Sequence, residues 1–141
     1  MFSPSAHILT RCLVILLLAA PYVGCAAVRR VRDKQLTGVD ANVAVARDDV
    51  HRAALAVLPG FDLIPTSDYA AAGFIEARGD WGSPNEGAVV QISARADGDA
   101  MRVVVEAGRS VGISKTEMRA LARAVLDRIL AHLAEDATSG P

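Results

Sequence analysis

Cysteine is almost missing from this chain. Cys12 and Cys25 are the only two; the first lies inside an apolar run and the second just after it, so the rest of the sequence has no pair with which to form a disulfide and must hold together by packing. An excess of one charge is missing too. Fifteen Lys and Arg stand against 16 Asp and Glu, which excludes a global field for nucleic acid or for an anionic surface. His7, His51 and His132 fall in three separate segments without a cysteine partner or a carboxylate-histidine set at i,i+4 spacing. A metal centre needs convergent N, S or O ligands, so neither a metal nor a cofactor is expected. Ser83, Ser93, Ser110 and Ser114 lack the Gly-x-Ser-x-Gly elbow of a nucleophile, while Asp97 and Asp99 sit in a turn where carboxylates are ordinary. No catalytic residue emerges, and a non-enzymatic protein is expected.

Long apolar runs are reduced to one, Cys12 to Ala20, preceded by Arg11 and followed by Pro21-Tyr22-Val23-Gly24-Cys25. A helical span needs roughly 20 apolar residues, so this order reads as the positive, apolar and small-residue parts of a signal peptide covering 1–24. Val23, Gly24 and Cys25 resemble the lipobox of bacterial lipoproteins, although Tyr22 occupies a position that is usually Leu. That resemblance implies a diacylglyceryl group on the Cys25 sulfur, membrane attachment through it, and, with Ala26 rather than Asp next, sorting to the outer membrane facing the periplasm. Arg29, Arg30, Arg32 and Lys34 follow within a linker, 25–36. At headgroup level each such charge is worth about 1 kcal/mol on an anionic surface; alternatively they only keep a solvated linker extended.

Beyond Thr37 the pattern becomes that of one domain, 37–135, with a disordered tail at 136–141. Gly38 to Ala46 reads as a peripheral strand. Asp48 or Asp49 offers an N-cap for a helix with Val50, Ala53, Ala54, Val57 and Leu58 on one face, ended by Pro59-Gly60. Four further β-like runs begin at Phe61, Gly73, Ala88 and Met101. Pro65 demotes the first to an edge, and the last two alternate cleanly about Asp97-Gly98, a hairpin signal. Ser114-Lys115-Thr116-Glu117 forms a capping box ahead of a stripe of Met118, Leu121, Ala122, Val125, Ile129 and Leu133, with Arg123 and Asp127 at i,i+4 on its flank. The expected architecture is α+β: a two-layer sandwich with an antiparallel sheet of about four strands and two helices packed on one face. The order of these elements, with the stretches "ALAVLPGFDL", "GFIEAR" and "MRVVVEAG", resembles a family of short uncharacterised bacterial lipoproteins from about Leu36 to Leu133. The chain departs from it in the longer loop Asp80 to Glu86. The resemblance implies fold and location and no activity.

Candidate binding residues are few. Trp81, the only tryptophan, stands in a glycine- and proline-rich connection, where it either folds back over the core or anchors a contact with a protein partner or a membrane interface. Gly108 to Ser114, before a capped helix, is either a structural turn or an anion site in which Arg109, Ser110 and Lys115 supply donors. The leading expectation is a lipid-anchored interaction module that binds another envelope protein through its sheet face, an edge strand or the Trp81 loop. The alternative is a module that binds a ligand or cell-wall fragment at the Gly108–Ser114 turn.

Overall fold

The computed structural model describes residues 36–109 and 114–139. Cys25, the expected signal peptide, the basic linker up to residue 35 and positions 110–113 of the Gly108–Ser114 turn, Ser110 among them, lie outside the described residues. Five strands and two helices follow in the order β1 (Thr37–Val43), α1 (Arg47–Val57), β2 (Leu63–Tyr69), β3 (Phe74–Gly79), β4 (Ala88–Asp97), β5 (Ala100–Arg109) and α2 (Lys115–Thr138). Short 3-10 turns at Leu58–Phe61 and Ala70–Ala72 flank β2. All pairings are antiparallel, in the spatial order β1-β5-β4-β3-β2. The sheet therefore has five strands where about four were expected, because the peripheral strand β1 is a full member, paired with β5 along its whole length.

Alternation along the strands decides what is buried. Val39, Ile75, Ala77, Val90, Ile92, Ala94, Val103, Val105 and Ala107 share one face and form a single core with both helices. From α1 come Val50, Ala53, Ala54 and Val57; from α2, Met118, Ala122, Val125, Leu126, Ile129 and Leu133. The stripe on α2 is corrected at one position: Leu126 is fully buried, while Leu121 lies partly buried at the rim. A helix repeats every 3.6 residues, so a seam of this width takes both 125 and 126 and turns 121 toward its edge.

Both helix starts differ in detail from the sequence reading. For α1 the N-cap position is Ala46, without a side-chain bond, and Asp48 and Asp49 lie inside the first turn. There they oppose the positive end of the helix dipole instead of capping it. At α2 the Glu117 amide donates to Ser114 Oγ at 3.3 Å, and the Ser114 hydroxyl donates to Glu117 Oε2 at 3.3 Å. The glutamate thus accepts from the hydroxyl, side chain to side chain. Ser114→Ala is expected to cost about 1 kcal/mol of stability, read as a lower denaturant midpoint with an unchanged slope. Further along, Arg128 lies 3.8 Å from Glu135, whereas the Arg123–Asp127 pair expected from spacing is not formed. The helix runs to Thr138, so Asp136, Ala137 and Thr138 belong to it and not to a tail.

Chain turns account for the remaining geometry. Asp97 pairs with Ala100, which leaves Gly98 and Asp99 as a two-residue connection, and Gly98 takes φ +60° at its first position. Glycine there suits the tight turns whose twist matches antiparallel strands. Pro65 lies where the β2–β3 register shifts, on an edge strand, as a missing ladder donor requires.

Candidate functional site

The strand register gives the sheet two distinct ends. Thr37 pairs with Ala107, Ala107 with Val90, and Val90 with Ala77, so β1 begins level with the end of β3. At that end the connection 80–87 leaves the sheet, and close by are the 3-10 turn after α1 and the last residue of β5, Arg109. The connection is tightly bound. Asp80 N donates to Asp62 O at 2.8 Å, Asn85 Nδ2 to Phe61 O at 2.7 Å, and Arg109 Nε to Glu86 O at 2.6 Å. Within it, Trp81 N donates to Asp80 Oδ1 at 2.8 Å and Gly82 N to Glu86 Oε2 at 3.3 Å. On this braced loop Trp81 is 89% exposed. It does not fold back over the core. Arg109, one of the anion-site candidates, is engaged in bracing this loop, and Lys115 is exposed at the first turn of α2.

The second surface is the sheet face that none of the described helices covers. Asp40, Val104, Ser93, Phe74 and Tyr69 form one row across all five strands, and Gly38, Glu106, Gln91, Glu76 and Ser67 form the next. Tyr69 and Phe74 stack at a tilt, ring centroids 6.3 Å apart. In the second row, on β3, Glu76 is only 8% exposed. Gln91 Nε2 donates to its Oε2 at 3.0 Å, while Arg78 approaches Oε1 at 3.4 Å and Thr66 Oγ1 donates to the Glu76 carbonyl at 3.2 Å. A carboxylate so enclosed needs these partners, since burying it alone would cost several kcal/mol, about the penalty for an unpaired ion. Arg102 pairs with Asp40 at 3.1 Å in the outer row.

No family model matches the chain, and no curated protein is similar to it. What it does has to be argued from the two surfaces and the sheet's polarity.

Sequence reasoning missed the partners of both histidines. His51 on α1 faces the β2 edge, its Nε2 2.7 Å from Asp68 Oδ1, an ion-pair distance reached off the direction of an aligned hydrogen bond. His132 has a carboxylate at i+4, Asp136, with Nε2 3.9 Å away, which corrects the reading that no such set exists. One turn before His51, Arg47 lies over Gly73, where φ is +61° and an added Cβ would stand 2.9 Å from Arg47 Cδ, and its guanidinium donates to Ala71 O at 3.0 Å. These contacts lock α1 to the β2–β3 connection. Nothing in the local sequence of His51 announces Asp68, which arrives only through the fold. Among the described residues, no group of three His, Cys, Asp or Glu converges as a metal site, and no helix is long and apolar enough to cross a membrane. A groove of about 480 Å³ opens between the start of α1 and the end of α2, lined by Val45, Asp49, Arg52, Leu133 and Asp136. Within it Arg52 is paired with Asp49 at 2.6 Å, and Asp136 lies 3.9 Å from His132.

Proposed function

We propose that this protein is a non-enzymatic lipoprotein of the bacterial envelope, attached through lipid on Cys25, whose domain acts as an interaction module for another envelope protein. The observation that carries this reading is the uncovered sheet face. A five-stranded sheet that places all its helices on one side leaves an area spanning every strand, with Tyr69 62% exposed, beside a carboxylate held in place by Gln91 and Arg78. Aromatic side chains combined with fixed polar groups are the composition of contact surfaces. The polar framework around Glu76 is preorganised, so a partner docking there orders little further.

Two measurements test the reading. Cys25→Ser is expected to release the protein from envelope membranes or leave it unprocessed, and intact mass of the wild type is expected to show a lipid-modified chain beginning at Cys25. An unmodified chain beginning at Met1 sinks the attachment. A photo-crosslinking residue at Tyr69 is expected to yield a discrete adduct in intact cells, whereas the same residue at Ala124, exposed on α2, yields none. Equal labelling at the two positions removes the sheet face as the contact.

A further inference from the structure

We infer that Trp81 is a second membrane contact, a ring that enters the headgroup layer of a phospholipid bilayer and fixes the domain with its Trp81 end down. The inference rests on the lipid attachment proposed above. Trp81 is 89% exposed on a loop whose backbone is fixed by bonds to Asp62, Phe61 and Arg109. A braced loop that holds a large amphipathic ring in water forgoes its burial energy in the free domain, and such rings are enriched where apolar and wet phases meet.

Sheet polarity distinguishes the bilayer from a protein partner. β1 begins at the same end as the Trp81 loop, three strand positions from β3, or about 14 Å at the usual strand spacing. The chain therefore enters the domain on the side where the ring protrudes. From Cys25 to Leu36 the backbone spans at most about 36 to 40 Å when extended, so lipid on Cys25 keeps this end within reach of the surface. Lys115, exposed at the start of α2, adds a cation on this side of the domain.

The loop's own carboxylates accept from its backbone amides, Asp80 from the Trp81 amide and Glu86 from the Gly82 amide, and stay at the surface. Asp62 and Glu117 also lie toward this end, so burial of the ring, more than a positive field, carries the contact. The opposite end carries Asp97 and Asp99 at the hairpin, Asp48 and Asp49 at the start of α1 and Glu135 and Asp136 closing α2, against Arg95, Arg102, Arg47 and Arg52, and so keeps a small acidic excess. Anionic lipid repels that end, which favours the same orientation.

The test uses the full processed protein reconstituted in vesicles of phosphatidylethanolamine and phosphatidylglycerol, with and without brominated acyl chains. Trp81 supplies the signal, being the only tryptophan. An environment-sensitive thiol probe at Asp99→Cys marks the opposite end, since Cys12 is removed with the signal and Cys25 is acylated. The expected result is a blue-shifted Trp81 emission that brominated lipid quenches and aqueous acrylamide does not, while the Asp99 probe stays open to acrylamide and untouched by bromine. A lipid-modified chain whose Trp81 remains fully open to acrylamide overturns the inference and leaves the ring for a protein partner. Quenching of both reporters by bromine overturns the orientation. An intact mass without lipid on Cys25 removes the lipoprotein reading itself and this inference with it, so the two failures are distinguishable.

Discussion

Truncation of Leu126 to alanine is expected to lower stability by about 2–5 kcal/mol, the range for deleting a fully buried leucine side chain. Leu126 is completely inaccessible and sits in the middle of α2, the long helix that packs on β1, β5 and α1. The cavity would open between helix and sheet, where Val103 and Val105 are held in two ladders, to β1 and to β4, and have little freedom to collapse. Leu121→Ala, at the opposite edge of the buried seam and only partly buried, is expected to cost less. Urea midpoints of the two variants check this order, provided the slope stays that of the wild type. If Leu121 proves the costlier, the helix is rotated from the face described.

Gly79→Ala carries the second large effect. A Cβ built on Gly79 would stand 1.7 Å from the Asn85 carbonyl oxygen and 2.4 Å from its carbon. Those are backbone atoms in a loop held by the Asn85–Phe61 and Ala88–Asn85 bonds, so relief requires the whole connection to move away from the sheet. Overpacking costs typically 1–3 kcal/mol and occasionally more, and this substitution is expected at about 3 kcal/mol. Trp81→Ala, two residues on, should leave stability nearly unchanged because the ring touches little of its own domain. A calorimetric comparison of the two variants separates the loop as scaffold from the ring it displays. A large loss for Trp81→Ala would place the ring against the core after all.

Much of this architecture was legible where one local rule acted alone. Gly98 between two alternating runs marked the β4–β5 hairpin, Pro65 marked an edge, and Ser114 marked the start of α2. Val90, Ile92, Val103 and Val105 announced their inward face by strict alternation. Legibility failed where the outcome depended on distant partners. Glu76 follows Ile75 in a run with no clear alternation, and only the register that sets Gln91 beside it, with Arg78 nearby, explains how a glutamate becomes almost inaccessible on a face without helices. His51 and Asp68 are joined by the packing of α1 on the β2 edge. For α1, Asp48 and Asp49 suggested a cap, yet the helix starts earlier, with Ala46 at the N-cap position, and places them within the first turn. Trp81 could not be decided from composition at all, since the same glycine-rich context serves a ring folded inward and a ring held out; the hydrogen bonds of the loop decide it.

The pairing of β1 with β5 also has a mechanical meaning. The chain arriving from the N-terminal side joins the domain at Leu36 and runs directly into seven antiparallel ladder positions, Thr37 to Val43. Hydrogen bonds in such a ladder lie across the strand direction. A pull transmitted through Leu36 along the strand axis therefore loads the ladder in shear, many bonds at once, instead of peeling them one after another. With Val39 also buried in the core, the first strand is the domain's strain-bearing cleat, which suits the attachment through Cys25 proposed above.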